Sequence, residues 1–171
     1  MTDSWAHSLD GFGRRSVPVL SAFVLVLVSI APLPIPDIGR IMPCFALMAV
    51  YCWTVWRGEL MPYTAVFALG LFEDLLRGTP LGLSSFVLLI VQAVLRRQSE
   101  LIYGRTFGVL WLGFAVTASV WSFFHWALNS ALAGFSVNGL PAIFQCVLTV
   151  ALFPIVARLL QLLQRATLRN A

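Results

Sequence analysis

Glu73 and Asp74 are two adjacent acids inside an otherwise apolar stretch. At membrane depth an ionisable side chain costs roughly 2.5–3.5 kcal/mol even on lenient insertion scales, so such a group is expected to be paired or functional. Glu73 has a partner within reach. Arg77 follows one helical turn later, in the favoured acid-before-base order, and the two are expected to form a structural ion pair. Asp74 points about 100° away around the helix and has no such neighbour. A second polar set, Trp121, His125 and Asn129, recurs at i, i+4 and i+8 with Ser122 adjacent. If Asp74 and this set lie at a similar depth, Asp74, His125 and Asn129 can converge on a polar pocket. Alternatively, each simply bonds a neighbouring backbone or headgroup.

These residue types exclude more chemistry than they support. His7 lies on the polar N-terminal tail and His125 stands alone, so no metal set is expected. Cys44, Cys52 and Cys146 all fall in apolar runs without CxxC spacing, and they read as buried, unreactive thiols. Ser84 and His125 invite comparison with an intramembrane serine protease. Rhomboid-like proteases carry GxSG, however, whereas this sequence has Gly82-Leu83-Ser84-Ser85. Phosphate-binding glycine loops and paired catalytic carboxylates are absent. The sequence therefore reads as non-enzymatic, with no cofactor.

The elements that must position these groups follow from composition. Of 171 residues, 60% are hydrophobic and 11% charged, against roughly 25% charged in soluble domains. All eleven basic residues are Arg, and they punctuate apolar runs rather than cluster, which argues against nucleic acid. Six apolar runs are legible, at residues 17–33, 41–56, 60–76, 80–95, 106–132 and 140–160. The predicted fold is all-α, a polytopic membrane protein of six short transmembrane helices. A cytoplasmic tail (1–16) precedes the transmembrane domain (17–160), and an interfacial tail (161–171) follows it. Assigning alternate loops to alternate sides places nine Arg on one side and two, Arg40 and Arg77, on the other. By the positive-inside rule both termini are then cytoplasmic. Leu88, on the fourth run, is read as lipid-facing.

Between the third and fourth runs, GLFEDLLRGTPLGL (residues 70–83) resembles the central signature of the MreD family of rod shape-determining membrane proteins. Gly70, Asp74, Gly78, Pro80, Leu81 and Gly82 occupy the signature positions, and Pro43, Trp53 and the terminal FPIVARLLQLLQR extend the likeness. Cys44, Glu73 and Arg77 depart from it. The resemblance implies a scaffold subunit of the cell-elongation complex in the bacterial inner membrane, which contributes to peptidoglycan synthesis without catalysing it. It also implies an MreC-like single-span partner and, through it, MreB, RodA and a class B penicillin-binding transpeptidase. In that setting Asp74 and the hairpin glycines would orient the partner. The family is in turn similar to the substrate-binding subunits of energy-coupling-factor vitamin transporters, which is the alternative expectation.

Overall fold

The computed structural model describes residues 17–29, 43–102, 106–133 and 139–168. They form α1 (Val17–Val28), α2 (Phe45–Arg57), α3 (Tyr63–Arg77), α4 (Leu83–Ile102), α5 (Phe107–Ala133) and α6 (Leu140–Leu168), with one 3-10 turn at Gly58–Leu60. Among the described residues there is no strand. Arg14, Arg15, Asp37, Arg40, Arg105 and Arg169 lie outside them.

The helices are less uniform than six short spans. α2 and α3 have 13 and 15 residues, whereas α5 and α6 have 27 and 29 and are long and apolar enough to cross a membrane. At 1.5 Å per residue α6 extends about 43 Å, beyond the roughly 30 Å of a hydrocarbon core. It continues unbroken past residue 161 to Leu168, through Gln161 and Arg165, which are good helix formers. α4 likewise continues through Arg96 and Arg97 to Ile102.

α2 is the centre of the molecule. Residues 46–55 are all buried, as expected of a helix that is apolar on every face. α1 meets α2 through a hydrogen bond from Trp53 Nε1 to Ser21 Oγ (3.0 Å), and meets α3 through the Phe23 and Phe72 rings, 5.4 Å apart. Trp53 is therefore a core residue. Tyr51 sets its ring edgewise against Phe114 of α5 and Phe153 of α6, which stack at 3.9 Å, and its hydroxyl donates to the Leu110 carbonyl (3.0 Å). These three rings join α2, α5 and α6.

Pro154 inside α6 has no N–H to offer the carbonyl of Val150. The indole of Trp111 on α5 supplies the missing donor, at 3.1 Å, so the helix keeps its course. The outward faces of α1, α3, α4, α5 and α6 expose large apolar side chains, among them Val24, Phe67, Phe86, Leu112 and Ile143. Apolar surface of that extent belongs against lipid or another protein. Leu88 is not part of it. It is fully buried, on the stripe of α4 that also carries Ser84, Gln92 and Leu95, and the lipid-facing expectation passes to Phe86 and Ile90.

Candidate functional site: the α3–α4 hairpin and the facing end of α5

The hairpin depends on three glycines, each for a different reason. At Gly70 a Cβ would lie 2.5 Å from Ser85 Cα and 2.6 Å from Ser85 N, so only glycine lets α3 and α4 cross this closely. The Ser85 hydroxyl donates to the Phe67 carbonyl at 3.0 Å in the same crossing. Gly78 ends α3 in the left-handed region (φ 67°), with its N–H and that of Thr79 both directed to the Asp74 carbonyl. Gly82 (φ 93°) turns the chain into α4 just after Pro80.

Asp74 is held inside this turn. Its carboxylate accepts from the Thr79 hydroxyl (2.8 Å), from Gly82 N–H (2.9 Å), and from Ser84 N–H at both oxygens (3.2 and 3.1 Å). The amides at the start of a helix lack intrahelical acceptors and carry the positive end of its dipole. Asp74, at the end of α3, therefore caps α4. Sequence spacing reveals no local partner for Asp74 because its partners lie five to ten residues ahead. With Asp74 fully buried, the carboxylate is committed to the hairpin and is not presented at the surface.

Glu73 and Arg77 form the expected pair at 2.8 Å, with the Glu73 side chain 2% and the Arg77 side chain 21% exposed. The pair points away from Asp74 toward the start of α2, where the Cys44 thiol donates to Glu73 Oε1 at 3.6 Å. Cys44 N–H in turn donates to Thr149 Oγ1 of α6 at 3.1 Å. The other carboxylate oxygen, Glu73 Oε2, is buried and has no hydrogen-bond partner among the described residues. Cys44 and Cys52 are buried, and Cys146 is half-buried.

His125 does reach the hairpin, through Ser84. The Ser84 hydroxyl lies 3.5 Å from His125 Nε2, while the amide of the same residue bonds Asp74. Trp121 stacks on the His125 ring at 4.9 Å, and its own indole N–H is buried without a partner among the described residues. Ser122 donates instead to the Ala142 carbonyl of α6 (3.1 Å). Asn129 is half-buried one turn further along, and no bond joins it to this cluster. The Ser84–His125 distance is at the limit of a hydrogen bond, and among the described residues no carboxylate bonds His125 to orient it as a base. No group of three potential metal ligands occurs among the described residues.

A second polar knot lies at the opposite end of the bundle. Gln92 Nε2 donates to the Met61 carbonyl (2.6 Å), and Arg96 Nη2 donates to the carbonyls of Gly58 (2.8 Å) and Met61 (2.5 Å), with its guanidinium 4.3 Å over the Tyr63 ring. Neither Arg96 nor Gln92 stands out in the sequence as a site residue. An amide inside the apolar run 80–95 is the signal that marks Gln92.

A family model described as rod shape-determining protein MreD matches residues 13–163, all but the two ends of the chain. No curated protein and no solved structure matches.

Proposed function

This chain belongs to the MreD family of rod shape-determining membrane proteins, and from that membership we propose that it is a non-enzymatic scaffold of the cell-elongation complex in the bacterial inner membrane. The observation that carries this reading is the extent of the family match, which includes the whole hairpin and every helix that packs on it. In the proposed topology all six helices cross the bilayer, both termini are cytoplasmic and the α3–α4 hairpin faces outward.

Its task is to hold and orient an MreC-like single-span partner, and through it to connect with MreB, RodA and the transpeptidase. The geometry supports a modified role for Asp74. Its acceptors are consumed by Thr79, Gly82 and Ser84, so it shapes the hairpin, while the exposed Pro80 and Leu81 at the tip present the contact surface. Close packing with a few polar groups is how helices associate where lipid removes the hydrophobic drive.

Co-purification of the partner from membranes, together with rescue of rod shape in cells lacking the endogenous protein, tests the proposal. Leu81→Asp should lose both, while Phe86→Ala, on the lipid-facing side of α4, should keep both. Retention of partner and shape by Leu81→Asp at normal membrane levels would remove the hairpin tip from the mechanism.

A further inference from the structure

The outward face of the α3–α4 hairpin is short for a bilayer. α3 has 15 residues, about 22 Å of helix, against the roughly 30 Å of a hydrocarbon core. Glu59 and Pro62 are exposed in the irregular stretch that enters α3, and Gly78 and Pro80 are exposed in the turn that leaves it. Irregular backbone that faces outward does not sit in hydrocarbon, because no water there satisfies its N–H and C=O groups. The two turns therefore limit the hydrocarbon beside α3 to about 22 Å.

The neighbouring helices repeat this limit. α4 is free of charge only from Leu83 to Leu95, 13 residues or about 20 Å, before Arg96 and the exposed Arg97. A long basic side chain can reach past such an end to the interface, but Arg96 is turned back onto the carbonyls of Gly58 and Met61. α2 also has 13 residues. At one end Cys44 meets Glu73 and Asp74 meets Ser84; at the other Arg96 holds Gly58, so the three helices are joined near both ends and share one thickness.

Between these polar ends lies an apolar band in which Phe67, Leu75, Phe86, Ile90 and Val94 are 43–61% exposed. A groove for a protein helix has no need of two helices whose polar ends stand level on both sides, whereas a lipid slab does. We propose that the α3–α4 face is a surface for a locally thinned bilayer, with about 22 Å of hydrocarbon, and that it selects lipids with short acyl chains. The inference rests on the reading that these helices cross the membrane. Thinning is confined to this side, since α5 and α6, with 27 and 29 residues, are long enough for a full bilayer.

Reporter tryptophans added to the full chain in phosphatidylcholine liposomes read the lipid beside each face. The quenching that each adds over wild type, with brominated dioleoyl lipid competing against dimyristoleoyl or dierucoyl lipid, gives the relative affinities. At Ile90→Trp the dimyristoleoyl lipid should be favoured over the dierucoyl lipid by about threefold or more. At the exposed Leu112→Trp of α5 it should not be favoured. Equal affinities at Ile90→Trp would overturn the proposal, as would the same short-chain preference at both positions. So would no lipid quenching at Ile90→Trp, which would mean that a second copy covers the face. Thiol labelling in dioleoyl liposomes, in the chain freed of its three cysteines, separates this failure from that of the topology. Glu59→Cys and Pro80→Cys should react with a charged reagent from opposite sides. Reaction of both from one side would sink the six-span reading and the thinning with it, whereas opposite-side reaction with equal lipid affinities would sink the thinning alone.

Discussion

The backbone N–H of Ser84 donates to both carboxylate oxygens of Asp74, at 3.2 and 3.1 Å, across a turn of ten residues. An acid that closes one helix thus caps the next, and the turn between them is fixed by a charge that water does not reach. This explains why an acidic residue is tolerated in a fully buried position without a cation of its own.

Removing that carboxylate should therefore be a stability event before it is a functional one. Asp74→Ala leaves the amides of Gly82 and Ser84 and the Thr79 hydroxyl unpaired, and should cost roughly 3 kcal/mol, the scale of hydrogen bonds to a charged group. Asp74→Asn keeps one acceptor oxygen and should lose about half as much. Thermal unfolding in mild detergent, followed by circular dichroism, measures both. Unchanged unfolding of the alanine variant would show that the hairpin holds without its cap.

The glycines should separate by mechanism. Gly70→Ala forces a methyl to within 2.5 Å of Ser85 backbone, which no rotamer change relieves, so α3 and α4 must part at a cost of about 1–3 kcal/mol. Gly78→Ala meets no atom but imposes the left-handed conformation on an L-residue, at about 1–2 kcal/mol. Gly108→Ala, in open space within α5, should be neutral or stabilise by up to about 1 kcal/mol. The order of melting temperatures across the three variants is the check, and a Gly70 variant as stable as the Gly108 variant contradicts the close crossing.

Trp111 and Pro154 should behave as a coupled pair. Trp111→Phe strands the Val150 carbonyl, costing about 1 kcal/mol in a setting where the neighbouring helix is its partner. Pro154→Ala restores the helical donor to that carbonyl, so in its presence Trp111→Phe should cost much less. A double-mutant cycle on unfolding gives the coupling directly. Additive effects would mean that the indole does not replace the proline's missing donor.

Topology is testable by labelling. In a chain freed of Cys44, Cys52 and Cys146, single cysteines replacing Arg57, Arg97 and Arg158 should react only from the cytoplasmic side, and those replacing Asp37, Gly78 and Gly139 only from outside. Arg97 is the better probe of the α4 end, because it is exposed whereas Arg96 is tied to the carbonyls of Gly58 and Met61. Labelling of Arg158→Cys from outside would break the six-span arrangement.

What the sequence itself determines is whatever local spacing encodes. The Glu73–Arg77 pair is an i, i+4 relationship and appears as expected; the break at Gly78 and Pro80 follows from the one residue free to take positive φ and the one without an N–H. The all-helical class follows from apolar runs with few charges. Which faces of those helices meet was decided only in three dimensions. The capping of α4 by Asp74, the contact of Gly70 with Ser85, the approach of Ser84 to His125 and the rescue of Val150 by Trp111 all depend on helices whose mutual rotation spacing does not state. Leu88 shows why. In a soluble protein the buried stripe is apolar and the outer face polar, so periodicity reports the facing. In lipid both faces are apolar, the contrast vanishes, and Leu88 and Phe86 read alike although one is fully buried and the other 57% exposed.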